Sequence, residues 1–455
     1  MLGNRHTLFL ILLEFLELSL AFWAACVLRF QGFELSEDAF TYIGKGMLIA
    51  VFVQSVFYVN DLYGTKGMPG SWVLFRRFTV SMTIAVVGLL VVYYALPQVF
   101  IGRGVFAITL GGFTGLFFIG RISLKGAASN WFERRFLIMG SGEFAKEVGR
   151  IIDSRQDLGY KLTGYLDSRP ERVGAPFLEP GIVGVYDDVA RLVVEQNVDE
   201  IIVALSNRRG TMPVQDLLDL KFRGIQITDG MNFYEREFNR VYVRQLTPSW
   251  MIFSDGFVVS PLTRLAKRSM DVGLSAIALV GVAPVMLLTV LLFRLTSKGP
   301  ALYSQERVGR LGAPFTMWKF RSMRTDAEAA GPQFAKKKDP RITGIGRFIR
   351  KTRVDELPQL INILRGDMSL VGPRPERPVF VDQLAEKIPF YGQRHQVKPG
   401  LTGLAQISYG YSEGEEDHLH KLQYDLCYIK NLSLTLDLAI MAKTLKVVVL
   451  GTGAR

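Results

Sequence analysis

The sequence predicts a membrane-anchored chain in three parts. An α-helical bundle of about four N-terminal transmembrane helices occupies residues 1–125. An α/β, Rossmann-like cytoplasmic domain follows over 134–230, then a linker over 231–262. A monotopic, α-rich domain over 263–455 closes the chain, entered through a re-entrant membrane helix at 268–295. Three observations carry this reading. Hydrophobic residues make up 49% of the 455 positions, a large share for a soluble protein. A strand-like run meets a glycine turn near residue 140, and a proline interrupts the last long apolar run at Pro284.

The charge balance narrows the partners. A net charge of +12 suits an anionic membrane surface or anionic substrates. Nucleic acid is excluded, because no nucleic-acid motif accompanies the charge. Two cysteines, Cys26 in an apolar run and Cys427 far away, exclude a disulfide framework and a cysteine metal site.

The first apolar runs are 8–28, 43–59, 78–96 and 105–119, each near bilayer-crossing length. The first carries Glu14 and Glu17 and lacks a small-residue cleavage signature, so it reads as an anchor and not a removed signal peptide. Its following loop, 31–42, has acids but no Lys or Arg, whereas 61–77 holds Lys66, Arg76 and Arg77. Arg121, Lys125, Arg134 and Arg135 follow the fourth run. The positive-inside rule places the N-terminus and everything after about Arg121 in the cytoplasm.

Residues 136–139 read as a buried strand, followed by Gly140-Ser-Gly142-Glu-Phe-Ala145 and an amphipathic helix through Ile152. Strand, glycine turn and helix is the order of a dinucleotide fold, with Ala145 in place of the third glycine. A second strand-like run, 200–205, extends the α/β pattern, and Asp167 ends the 162–166 run where it meets a ribose hydroxyl in such folds. The alternative is a fold of this type with no nucleotide, its glycines serving tight packing; a single fingerprint leaves both open.

Residues 270–295 are apolar and long enough to span, with Pro284 at the middle. Proline removes a backbone hydrogen bond and clashes with the preceding turn, so a break is expected there. Lys267 and Arg268 precede the run, while Arg294, Lys298, Arg307 and Arg310 follow it. Cations on both flanks favour a helix that enters, breaks and returns, and the alternative is an ordinary span with Pro284 as a mild kink.

Residues 352–372 concentrate the chemistry. Asp355 reads as an N-cap, Glu356 as acidic in the first turn, Pro358 as tolerated early, and the run 360–364 as stopped by Gly366. A helix mouth keeps a carboxylate ionised and favours a phosphate beside it. Arg347, Arg350, Lys351 and Arg353 precede the pair, and Arg365 and Arg374 follow. Two adjacent acids among cations point to metal-assisted phosphate chemistry, one acid being nucleophile or base. An ordinary capped helix with solvated charges is the alternative.

From Lys267 onward the chain resembles the bacterial sugar transferase family, the polyprenyl-phosphate hexose-1-phosphate transferases. The motifs are Lys-Arg-Ser-Met-Asp (267–271), Ser-Gln-Glu-Arg-Val-Gly (304–309), Trp-Lys-Phe-Arg-Ser-Met-Arg (318–324) and Asp-Pro-Arg-Ile-Thr (339–343). Asp-Glu-Leu-Pro-Gln-Leu (355–360), Gly-Asp-Met-Ser-Leu-Val-Gly-Pro-Arg-Pro (366–375) and Lys-Pro-Gly-Leu-Thr-Gly (398–403) complete the set. The N-terminal half resembles the longer members, and the whole is similar to transferases of exosortase-type exopolysaccharide operons.

The resemblance implies transfer of a hexose 1-phosphate from a UDP-sugar to undecaprenyl (polyprenyl) phosphate, with release of UMP through a phospho-aspartyl intermediate. This is the initiating step of exopolysaccharide or surface-glycan synthesis in the bacterial inner membrane. Asp355 matches the family nucleophile and Glu356 the partner that helps hold Mg²⁺. Lys319 and Arg374 match phosphate contacts, and Arg321 and Arg341 are further candidates for which a surface ion pair is an equal reading. Membrane lipid is a further expected partner, and the 134–230 domain is expected to hold a homodimer or polysaccharide-assembly partners.

Two departures stand out. The break reads Ala283-Pro284 where the family often has Ser-Pro, and Arg353-Val354 replaces a small polar residue and Leu. Two other functions are weighed. A membrane-anchored, NAD-dependent sugar-nucleotide dehydratase needs a Tyr-x-x-x-Lys pair, and no tyrosine here has lysine four residues on. A non-catalytic, nucleotide-sensing scaffold rests on the 134–230 domain having a fold without an evident reaction.

Overall fold

A computed structural model describes residues 5–30, 37–60, 62–63, 71–131, 133–156, 159–205, 212–297, 299–327, 331, 339–409 and 414–449. Lys66, Lys298 and residues 31–36 of the first loop, used above to set topology, lie outside the described residues. The chain forms two compact units, Met1–Phe233 and Tyr234–Arg455.

The first unit opens with four long helices, α1 Arg5–Phe30, α2 Glu37–Val59, α3 Ser71–Ala95 and α4 Arg103–Trp131. Small and aromatic residues fill their interior, with Ala25, Val53, Phe57, Ala85, Phe113 and Phe117 buried. Phe78 and Phe117 stack at 4.5 Å between ring centroids. Leu12, Leu16, Leu20, Trp23, Val87 and Val91 point outward and are exposed. An apolar exterior of this extent belongs in lipid. Among the described residues five helices are long and apolar enough to cross a membrane, these four and α10 below.

The helices run further than the apolar runs, and this corrects the charge bookkeeping. Arg76 and Arg77 lie inside α3, and Arg121 lies inside α4. Arg121 is buried, donates to a Glu14 oxygen at 2.6 Å and to the Leu62 carbonyl at 3.3 Å, and rests on the Phe117 ring. It ties α4 to α1 and is not a flanking charge in water.

A parallel sheet follows, built from β1 Arg134–Met139, β2 Tyr160–Asp167, β3 Ile182–Val185, β4 Glu200–Val203 and β5 Gln226–Asp229 in the order β3-β2-β1-β4-β5. Helices α5 Glu143–Asp153, α6 Val189–Glu195, α7 Val214–Phe222 and α8 Gly230–Phe238 follow β1, β3, β4 and β5, and only a 3-10 turn separates β2 from β3. Leu137, Met139, Leu166, Ile201 and Val203 pack against Leu192, Val193, Leu217 and Leu220 of the helices. Strands buried on both faces read as continuous apolar runs, which is why β1 and β4 were legible. The strand order reverses at β1, and Gly140 leaves that strand toward α5.

The second unit comprises α9 Pro248–Phe253, α10 Pro261–Thr296, the antiparallel pair β6 Leu302–Val308 and β7 Pro314–Phe320, α11 Gly344–Lys351, α12 Gln359–Arg365, β8 Ser369–Val371, α13 Pro378–Lys387, β9 Gly400–Thr402, α14 Leu404–Ser408, α15 Glu415–Lys430 and α16 Leu434–Val449. The stretch expected as a linker is folded. Val241 N–H donates to the Gln423 carbonyl and Phe257 N–H to the Lys430 carbonyl, so much of it is bound to α15.

A break was expected at Pro284, yet helix α10 continues through it. Thr289 Oγ1 donates back to the Val285 carbonyl at 2.7 Å. One face of α10 lies against its own domain along its length. Lys267 pairs with Asp437 at 2.6 Å, and Arg268 donates to the carbonyls of Ile363 and Leu364. Asp271 accepts the Leu370 N–H. Further on, Ala278, Leu279 and Val282 meet one apolar cluster and Met286, Val290 and Phe293 another. The other face exposes Ile277, Val280, Leu287, Leu288, Leu291 and Leu295.

Breaking a buried ion pair by removing one partner costs about 3–5 kcal/mol, whereas replacing both by apolar residues is often neutral. Arg121→Met should therefore lower the unfolding midpoint in detergent sharply, and Glu14→Met/Arg121→Met should recover most of the loss.

Candidate active site

The acid pair sits on a short connection between α11 and α12. Thr343 caps α11, its hydroxyl accepting the Gly346 N–H at 2.9 Å. After α11 the chain reverses at Arg353, whose φ of 59° is left-handed, and makes one 3-10 turn over Val354–Glu356. Asp355 therefore lies within that turn and is not the N-cap expected for it. Glu356 N–H donates to the Arg353 carbonyl and Leu357 N–H to the Val354 carbonyl, which uses donors expected to face a phosphate. Pro358 caps α12, and Gly366 ends it at φ 100°.

Side chains do the work assigned to the helix mouth. Arg374 donates to Glu356 at 3.0 Å, Lys319 of β7 stands 3.6 Å from the same oxygen, and Arg353 is 3.5 Å from the other. Burial alone would raise the Glu356 carboxyl, but Arg374, Lys319 and Arg353 hold it down at about 2. Asp355, only 7% exposed, behaves oppositely. Burial and the neighbouring Glu356 charge raise its carboxyl, against the pull of Lys319, Arg350 and Arg374. Burial, with Arg374 and Arg307 nearby, brings the Lys319 ammonium down to about 8 despite Glu356.

The segments that carry Lys319 and Arg374 are held from behind. Asn362 of α12 accepts the Trp318 N–H at 3.1 Å and donates to the Thr316 carbonyl at 2.8 Å, completing the free edge of β7 beside Lys319. It also donates to Asp367 at 3.2 Å. The loop that carries Arg374 is gripped by one buried pair and one half-buried pair. Arg394 donates to the Arg374 carbonyl at 3.1 Å and pairs with Asp425 at 2.8 Å. Arg307 donates to the Pro375 carbonyl at 3.1 Å and stands 3.5 Å from Glu376. Beneath that loop, a Cβ on Gly372 would fall 2.4 Å from the Lys398 carbonyl, and one on Gly400 only 2.1 Å from the Gly372 nitrogen.

Among the sequence candidates, the structure gathers Asp355, Glu356, Lys319 and Arg374. Arg321 is placed instead at the end of α10, donating to the Ser297 hydroxyl at 2.7 Å and lying over the Phe293 ring. Arg341 pairs with Asp339 at 2.6 Å. Asn362, Arg394, Asp425 and Glu376 escaped sequence reasoning, because their roles depend on contacts between distant stretches. Arg307 carried a local signal, lying inside the Ser-Gln-Glu-Arg-Val-Gly motif at 304–309.

In the parallel-sheet domain, Gly140 has φ +131°, and a Cβ there would stand 2.5 Å from the Ala204 carbonyl. Gly142 caps α5 and Ala145 is buried within it. Asp167 is bound by Ser141 and by Arg172 at 2.9 Å, and accepts the Arg169 N–H at 3.0 Å. Both of its oxygens thus have protein donors.

An ionised acid beside a more basic one, ringed by cations on a domain whose helix α10 is long and apolar enough to cross a membrane, makes a centre with the charge to receive an anionic group. The chain belongs to the bacterial sugar transferase family. Residues 262–451 match that family, and residues 59–219 match the family described as a CoA-binding domain. An uncharacterized sugar transferase of Haemophilus influenzae is 31% identical over 386 residues, 79% of each chain. The undecaprenyl-phosphate galactose phosphotransferase of Salmonella typhimurium is 32% identical over 359 residues, covering 71% of this chain and 69% of that one. The UDP-N-acetylgalactosamine-undecaprenyl-phosphate N-acetylgalactosaminephosphotransferase of Aeromonas hydrophila is 47% identical over 196 residues, 43% of this chain. That match spans 46% of the Aeromonas protein's length.

Asp425→Ala strands Arg394 in the interior. It should cost about 3–5 kcal/mol in denaturant unfolding, with Arg394→Met/Asp425→Leu closer to wild type.

Proposed function

We propose that the chain transfers a hexose 1-phosphate from a UDP-sugar to a polyprenyl phosphate such as undecaprenyl phosphate, releasing UMP and initiating a surface glycan such as an exopolysaccharide. The observation that carries this is the buried Asp355 beside a Glu356 held ionised by Lys319, Arg353 and Arg374. The names of the Salmonella and Aeromonas relatives support the reaction class, and their different sugars leave the hexose to experiment.

Asp355 is the nucleophile. Its carboxylate oxygen bonds to the sugar-linked phosphorus as the bond from that phosphorus to the UMP oxygen breaks, giving a phospho-aspartyl intermediate. An oxygen of the lipid phosphate then bonds to the same phosphorus and frees Asp355, leaving sugar-diphosphate-lipid. A raised carboxyl makes Asp355 a more basic nucleophile once ionised. Arg374 and Lys319 meet charge developing on the phosphoryl oxygens, Arg374 as a planar fork and Lys319 as a point charge. Burial keeps that charge interaction strong.

Glu356 offers Mg²⁺ a hard, ionised oxygen ligand, and Arg353, Arg374 and Lys319, which face its oxygens, would turn to the diphosphate when the ion binds. The ion takes oxygen ligands, often one or two carboxylates plus phosphates and water, and Glu356 remains ionised at any pH near neutral. Among the described residues no three His, Cys, Asp or Glu side chains gather to form a cage. Glu356 would therefore hold the ion together with the diphosphate, and the bound ion would supply charge neutralisation.

Helix α10 is read as re-entrant. A helix that stays against its own domain from Lys267 to Phe293 cannot leave that domain behind on crossing a bilayer. Dipping its exposed face into one leaflet satisfies both sides with the helix continuous through Pro284. The catalytic and parallel-sheet domains then face the cytoplasm. The strand order β3-β2-β1-β4-β5 supports a Rossmann-like reading of the latter, suited to a nucleotide, a homodimer contact or polysaccharide-assembly partners.

Wild-type membranes given UDP-hexoses, undecaprenyl phosphate and Mg²⁺ should release UMP. Asp355→Asn should lower the rate by about 10³-fold or more, and Glu356→Gln should weaken the Mg²⁺ dependence. Wild-type rates in Asp355→Asn would remove Asp355 as nucleophile.

The pH profile has two limbs. Activity should rise as Asp355 ionises, above the usual aspartate range, and fall near pH 8 as Lys319 loses its proton. Lys319→Arg should keep activity on the acid side and move the alkaline fall upward, because arginine stays protonated.

A further inference from the structure

At one end of the helix bundle, α3 and α4 are joined through the 3-10 turn Pro97–Val99, and a cavity of 490 Å³ opens beside that turn. Leu90, Pro97, Phe100 and Phe106 form apolar walls, and Tyr93, the exposed Tyr94 and Arg103 supply its polar groups. Phe100 and Phe106 hold the Tyr93 ring edge-on, at 5.3 and 5.8 Å between centroids. The tyrosine is 8% exposed, and its buried hydroxyl has no hydrogen-bond partner among the described residues.

An unsatisfied buried hydroxyl costs about 1–3 kcal/mol, so it marks a place where a partner is expected. The charges nearby say what kind. Arg103 lies at the cavity, and Lys45 donates to the Phe100 carbonyl at 3.3 Å. Arg29 packs over Gly104, where a Cβ would stand 3.4 Å from its Nε. Three cations from three helices thus converge on the turn. Among the described residues none of them meets a carboxylate.

We propose that this cavity binds an anionic lipid, its phosphate received by Arg103 and the Tyr93 hydroxyl and the first part of its chain lying along Leu90, Pro97 and Phe106. A ligand here must bring an acceptor for the hydroxyl, negative charge for the guanidinium and hydrocarbon for the walls. A lipid phosphate has all three, and the ends of membrane helices lie at the headgroup level. Arg29 and Lys45 strengthen the field without touching the ligand. The inference rests on α1–α4 lying in the bilayer and is independent of the reaction at Asp355.

The test uses the full chain in detergent, with binding followed by native mass spectrometry. The probes are phosphatidylglycerol, undecaprenyl phosphate and soluble glycerol phosphate, each against wild type, Tyr93→Phe and Arg103→Gln. Tyr93→Phe keeps the ring packing, so it tests the hydroxyl without disturbing the fold. Each variant should bind the lipid roughly tenfold more weakly, the loss of one hydrogen bond to a charged group. Variant-sensitive binding of phosphatidylglycerol identifies a bilayer phospholipid, and of undecaprenyl phosphate a prenyl lipid; either supports the site. Equal lipid binding by all three proteins overturns it, as does glycerol phosphate binding as tightly as the lipids.

Discussion

Three separate stretches of the second unit meet on one carboxylate. Lys319 arrives on β7, Arg353 on the left-handed reversal after α11, and Arg374 on the loop after β8, all toward Glu356. Charges taken out of water this far are tolerable only when paired and hydrogen-bonded. Displacing any one stretch would therefore leave others uncompensated, so the mutual placement of strand, turn and loop is set as one problem. Asp355 inherits its character from the arrangement: the cations are spent largely on Glu356, and the neighbouring acid is left more basic.

The supporting layer answers the same constraint. Asn362 substitutes for a missing strand partner along β7, and Arg394 and Arg307 turn backbone carbonyls of the Arg374 loop into anchor points. Their own charges are met by Asp425 and Glu376. Lys267 and Tyr428 converge on the Val371 carbonyl just before that loop. The polar groups that fix the site are thus fixed in turn by main-chain contacts, which tolerate little displacement.

What could be read in advance follows the range of the interactions involved. Apolar length announced α1–α4, continuous apolar strands announced β1 and β4, and the adjacent acids announced the site. Strands β3 and β5 are four residues each; β5 has Ile227 as its one aliphatic side chain, and Gly184 interrupts the short run of β3, so neither stood out locally. The N-cap reading of Asp355 followed local preference, and the left-handed turn at Arg353 overrode it. Arg121 looked like a boundary charge because its partner, Glu14, lies at the opposite end of the bundle's sequence. Residues 231–262 looked like a linker because their packing partners lie in α15.

The contact between Gly372 and Gly400 leaves room for hydrogen atoms only, and Gly403 closes on the Gly372 carbonyl from the other side. The floor beneath Arg374 is therefore main chain against main chain, with no side chain available to evolve. A side chain introduced there would force the loop to be rebuilt. Substitutions that adjust the site are therefore tolerated only among the side chains above this floor, Arg353 among them, so adaptability and chemistry occupy separate layers of the same site.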